Sequence, residues 1–184
     1  MRPADEQPST SGGRQARLAM IALAICALAA LFWPRGEGAT NAPGGFVFDA
    51  TGRAATIGSH LAPVSLVHFW ATWCPPCLTE IPALQRLSRD LGPNREFAVV
   101  LIAVADDRQK VRGLMGEASA TVLFDNWDVA HRYGTKKLPE SYLVVRGQVV
   151  EKWVGATNWD DRAIRHRILE HLPEPEQRAA LVPP

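Results

Sequence analysis

Cysteine is scarce in this chain: only three occur in 184 residues, so no disulfide framework staples the fold and no second cysteine pair completes a four-ligand zinc site. An excess of one charge sign is also missing. With 20 Lys and Arg against 19 Asp and Glu, the net charge is +1 and the two signs are interspersed, so nothing marks nucleic acid as a partner. Beyond residue 45 the only methionine is Met115, which leaves little thioether for a soft metal. Long apolar runs are confined to one, Leu18 to Trp33.

Two of the three cysteines stand in Cys74-Pro75-Pro76-Cys77, introduced by Trp73. Two thiols at this spacing can close a small disulfide ring or hold a metal. Upstream, Val64 to Trp70 reads as a short buried strand of β-branched and aromatic residues. Downstream, Ile81, Leu84, Leu87 and Leu91 recur at helical spacing, which predicts a helix over 75–91. Cys74 therefore sits where a strand hands over to a helix N-terminus. Unpaired amides and the positive end of the helix dipole favour an anion there, so Cys74 should ionise more readily than a free thiol and act as the nucleophile. Pro75 and Pro76 fall in the first helical turn, where a missing N–H costs nothing, and they stiffen the ring. Pro82, inside the predicted helix, should kink it.

The run Leu18 to Trp33 carries no charge between Arg17 and Arg35. Its 16 residues are short for a membrane-spanning helix and long for a signal-peptide core. Arg2, Arg14 and Arg17 precede it, which places the N-terminus in the cytoplasm and the following domain across the membrane. No well-formed cleavage site follows, so an uncleaved anchor is expected. The organisation is then a cytoplasmic tail over 1–17, an anchor over 18–33, a linker over 34–45, one domain over 46–172 and a proline-rich, disordered tail over 173–184. Cys26 lies in the apolar run and reads as an ordinary small residue.

Within the domain, Phe46 to Ala50 and Ala54 to Ile57 flank Thr51-Gly52-Arg53 as a hairpin. After the central strand and its helix come a strand over 97–104, a helix over 108–117, a strand over 121–124 and a short helix over 128–133. A hairpin of 141–145 and 149–154 around Arg146-Gly147-Gln148 follows, then a helix over 160–172. A βαβ unit followed by a hairpin and a terminal helix makes an α/β fold, a mixed sheet with helices on both faces.

Phe69-Trp70-Ala71-Thr72-Trp73-Cys74-Pro75-Pro76-Cys77 with Glu80 and Pro82, and then Leu138-Pro139-Glu140-Ser141-Tyr142, resembles the membrane-anchored thioredoxin-like reductases of the TlpA, ResA and DsbE type over about residues 46–172. The resemblance implies a thioredoxin fold with an N-terminal hairpin extension, and disulfide exchange on the periplasmic side of the inner membrane. It implies partners too: a disulfide-bearing protein, either an apocytochrome c or an oxidase copper-site protein, and a membrane thiol transporter as electron donor. It also implies a cis proline at Pro139 facing the Cys74–Cys77 disulfide, with Leu138 as a docking position for substrate. No cofactor and no metal is called for.

Several neighbouring residues carry alternatives. Glu80, three positions after Cys77, is either its proton acceptor or an exposed acid favoured by the helix dipole. His68 stands where thioredoxins usually carry an aspartate and the anchored reductases often an asparagine. It is either a second candidate acceptor for Cys77 or a satisfied core histidine. Trp73 abuts the nucleophile and can cover a docking surface together with Pro75 and Pro76. Glu140 either tunes acidity or contacts a partner, or is an exposed turn acid. Lys136 and Lys137 either steer an acidic partner or are a solvated pair. The other tryptophans read as packing. Two further function classes compete with disulfide reduction. A copper-binding assembly factor would use the two thiols as Cu(I) ligands. A peroxidase of related fold would need a threonine where Ala71 stands.

Overall fold

The structure, a computed structural model, describes residues 20, 21 and 40–173 apart from 117 and 119. The expected tail over 1–17, the expected tail over 173–184 apart from Pro173, the rest of the expected anchor, Cys26 and residues 34–39 of the linker lie outside the described residues. Among the described residues no helix is long and apolar enough to cross a membrane.

In chain order the strands and helices begin with β1 (Thr40–Asn41), β2 (Phe46–Phe48), β3 (Ala54–Thr56), β4 (Val64–Trp70) and α1 (Pro75–Leu91). They continue with β5 (Phe97–Val104), α2 (Arg108–Met115), β6 (Thr121–Asp125) and α3 (Asp128–Arg132). The last are β7 (Glu140–Val145), β8 (Gln148–Val154) and α4 (Arg162–Leu169). The eight strands among the described residues form one mixed sheet in the order β1-β8-β7-β4-β5-β6-β2-β3. The pairs β4–β5 and β5–β6 are parallel, and the other pairs are antiparallel.

The sequence explains why β4 is central. Its seven residues carry no exposed position, so it must be covered on both faces, as a central strand is. Leu66 and Trp70 join the core with α1, α2 and α4, the face called front below. Val67 and Phe69 point the other way, onto α3 and the 3-10 turn at Ile57. Asp107 and Asp161 cap α2 and α4, each accepting two backbone N–H bonds in the following turn.

Differences from the sequence reading are mostly at element ends. Thr40 and Asn41, expected in the linker, pair with Val149 and Gln148 and extend the sheet edge. The expected hairpin at the N-terminal side exists, but Phe48 pairs with Phe124, so it completes the main sheet rather than standing apart. The β7–β8 turn needs only Arg146 and Gly147, at φ 49° and 79°, both left-handed as a two-residue hairpin turn requires. Gln148 therefore belongs to the strand. The helix after Asp160 is shorter than expected, ending at Leu169. Pro82 lies inside α1, which runs on through it to Leu91.

Candidate active site

Cys74 is the N-cap of α1 and Cys77 lies in its first turn, and the two are joined by a disulfide with Cα atoms 5.3 Å apart. Cys74 keeps 5% of its surface exposed and Cys77 none. The approach to Cys74 is thus a narrow one, bordered by the exposed side chains of Trp73, Pro75 and Pro76. The unpaired amides expected at this helix end are absent. Pro75 and Pro76 carry no N–H, Cys77 N donates to Cys74 O at 3.0 Å, and Cys74 N donates to Ala71 O at 3.2 Å. What favours an anion at Cys74 is therefore the helix dipole rather than a directed N–H bond.

Glu80 is not an exposed acid. It is 3% exposed, and its Oε1 accepts the Thr157 N–H at 2.9 Å and the Trp159 indole N–H at 2.7 Å. Its other oxygen, Oε2, is buried without a hydrogen-bond partner among the described residues. Burial pushes the carboxyl up to about 7, against the two donated bonds, which pull it down. Glu80 is one turn along α1 from Cys77, both in the front layer, so a carboxylate that exchanges a proton near neutrality sits a helical neighbour away from the inner thiol.

His68 projects from β4 onto the same front face. Its Nδ1 lies 2.8 Å from Ser141 Oγ, and its ring meets Trp159 edge-on with centroids 6.4 Å apart. Nε2 is buried and unpartnered among the described residues. Burial holds the imidazole down to about 3, so it is neutral at every pH where a thiol chemist would work. A base that weak is poorly matched to accept a thiol proton near pH 7.

The Leu138–Pro139 peptide is cis. Phe69 pairs with Glu140, the residue that follows Pro139, so the cis bond lies just before β7, at the end of β4 that leads to Cys74. Pro139 is buried and Leu138 half-buried. Glu140 is not an exposed turn acid. It is buried on the back face with Phe69 and Tyr142, where its Oε2 accepts the Tyr142 hydroxyl at 2.8 Å and pairs with Lys152 Nζ at 2.9 Å. The alternation of side chains along a strand puts the sheet itself between Glu140 and the disulfide. Lys136 and Lys137 are exposed in the turn before it.

Residues that the sequence reading passed over complete the site. Trp159, read as packing, donates its indole N–H to Glu80 and meets the His68 ring edge-on. Thr157 and Ser141 supply the other polar contacts of these two groups. Asp106 bonds to Thr72, two residues before Cys74. A signal for Asp106 was present: it follows a parallel neighbour of β4, and the carboxyl ends of such strands are where α/β sheets gather their sites.

The model of the Redoxin family matches residues 48–168. The thioredoxin-like protein YneN of Bacillus subtilis (strain 168) is 28% identical over 89 residues, which are 47% of this chain and 52% of YneN. The thiol:disulfide interchange protein CycY of Rhizobium leguminosarum bv. viciae is 32% identical over 108 residues, 58% of each chain. These alignments span little more than half the length of either relative. A crystal structure of a thiol:disulfide interchange protein DsbE from Chlorobium tepidum superposes with a TM-score of 0.63 at 26% identity, covering 72% of this chain and 96% of that one.

Proposed function

Because this chain belongs to the Redoxin family, we propose that it is a protein-disulfide reductase, tethered to the inner membrane by residues 18–33 and working in the periplasm. The observation that carries the reading is the Cys74–Cys77 disulfide across the first turn of α1, with the buried carboxyl of Glu80 one turn further on. In the reduced enzyme the Cys74 thiolate attacks one sulfur of a substrate disulfide. That S–S bond breaks, a mixed disulfide forms and one substrate thiolate leaves. Cys77 then gives its proton to Glu80 and attacks Cys74 Sγ, closing the intramolecular disulfide and releasing the second substrate thiolate. Two electrons pass to the substrate, and a thiol donor must return them. A membrane thiol transporter fits that role. The motif resemblance supports an apocytochrome c or an oxidase copper-site protein as substrate.

The test is capture of partners. With Cys77→Ala the resolving sulfur is gone, so the mixed disulfide should accumulate in the native membrane, and mass spectrometry of the complex should find a partner joined through Cys74. The wild-type chain, reduced beforehand, should also reduce a protein disulfide. A chain that forms no mixed disulfide and reduces nothing is not a reductase.

The tether rests on the run Leu18 to Trp33 and the arginines before it. The mature protein should resist alkaline carbonate extraction and retain its N-terminal peptide. A soluble product starting near Ala39 to Pro43 would exclude the anchor.

A further inference from the structure

The turn that carries Trp73 and Cys74 is clamped by the loop that follows β5. Register makes the two segments neighbours: β4 and β5 are parallel with Trp70 beside Ala103, so 71–73 and 104–106 leave the sheet side by side. Asp106 Oδ2 accepts the Thr72 N–H, and Oδ1 accepts both the Thr72 hydroxyl at 2.7 Å and the Asp107 N–H at 2.8 Å. One residue earlier, the Ala105 carbonyl accepts the Trp73 indole N–H at 3.3 Å. Ala105 holds a left-handed φ of 46°, a region unfavourable for a residue with a Cβ. Its own N–H is tied to Asp125 O at 2.9 Å, and the Asp125 carboxylate accepts the Val129 and Ala130 N–H groups at the start of α3. The clamp is therefore anchored to rigid elements on its far side, and the backbone accepts an uncomfortable residue to aim it.

We propose that Asp106 is a positioning residue for the Cys74 nucleophile, fixing Thr72 and Trp73 so that Cys74 Sγ meets an incoming disulfide in line and the Trp73 indole borders the approach. The proposal rests on the reading above that Cys74 is the attacking sulfur. The carboxylate cannot be imitated by an amide. Three donors point at its two oxygens, and whichever way an Asn side chain is turned, its NH2 faces the N–H of Thr72 or of Asp107. Asp106→Asn thus loses at least one backbone bond, whereas Thr72→Val loses only the hydroxyl bond and Thr72→Ser keeps it.

The experiment uses the full chain, reduced, with two probes. Oxidised glutathione and a protein disulfide require an in-line approach at sulfur. Iodoacetamide, a small alkylating agent, reports on the thiolate with far looser demands on orientation. Asp106→Asn should slow attack on both disulfides by about 10- to 100-fold, the scale on which small misplacements act, while alkylation of Cys74 changes little. Thr72→Val should show a smaller loss of the same kind, and Thr72→Ser should restore the wild-type rate. A folded Asp106→Asn protein that attacks disulfides at the wild-type rate would overturn the proposal, as would an equal fall in both probes, which would mean altered ionisation. If Asp106→Asn fails to fold, the Thr72 pair decides: a Val variant as fast as wild type overturns it. A wild-type chain that leaves protein disulfides intact would sink the reductase reading, yet the glutathione comparison would still score the clamp.

Discussion

Glu80→Gln is expected to slow closure of the Cys74–Cys77 disulfide by about 100- to 10,000-fold near neutral pH, the usual contribution of a positioned general base, while the first attack by Cys74 changes far less. The substitution is close to a clean test. Gln retains an oxygen for the Thr157 and Trp159 donors, and its NH2 falls where Oε2 now lies unpartnered. Shape and both bonds survive, and only the proton affinity is lost. Cys77 is fully buried, so its proton needs an acceptor inside the same desolvated layer. With the carboxyl pushed up to about 7 by burial, the wild-type rate of resolution should rise with pH and level off as Glu80 ionises near that value. The variant should lack this inflection and catch up only at alkaline pH, where Cys77 ionises unaided. Single-turnover decay of a mixed disulfide, followed against pH, gives both curves. Superimposable curves would remove Glu80 from the proton path.

The parts of this molecule that repeat a local rule were legible in its sequence. The run of β-branched and aromatic residues at 64–70, broken only by Ser65 and His68, demanded a buried strand, and the strand-to-helix handover at Cys74 needed only the spacing of Ile81, Leu84 and Leu87. Missed features are those that a tertiary contact decides. Whether Glu80 faces water or Trp159 depends on a loop 79 residues away, and helical periodicity cannot see it. Glu140 illustrates the reverse. Its neighbour Pro139 suggested the site, but alternation along β7 sends its carboxylate to Tyr142 and Lys152 behind the sheet. Two consecutive prolines at the head of α1 stated plainly that no N–H could be offered there. The helix dipole still acts on Cys74, but no free amide donor stands beside it at this helix end.

Stability against pH should expose the two buried groups as an opposed pair. Glu80 has its carboxyl raised from 4.5 to about 7, so the native state holds a proton that the unfolded chain has released; the stability this supplies is complete below about 4.5 and is lost as pH rises through about 7. His68 is lowered from 6.5 to about 3, so the unfolded chain takes up a proton that the native state refuses; its contribution is complete above about 6.5 and is lost as pH falls toward 3. Each slope is at most about 1.4 kcal/mol per pH unit, with opposite sign. Between about 4.5 and 6.5 they cancel, and the wild-type unfolding free energy should be nearly flat in that window as far as these two groups decide it. Single variants should tilt it. His68→Asn leaves Glu80 alone, so stability should fall as pH rises across the window. Glu80→Gln leaves His68 alone, so stability should rise. The double variant should be flat again, though lower, since Asn leaves a gap beneath Trp159. Urea unfolding of the oxidised chain at half-unit pH intervals from 4 to 8 would show the two tilts. Parallel profiles for all four proteins would mean that neither group keeps its buried protonation state in the native fold, and the assignment of the Cys77 proton to Glu80 would fall with them.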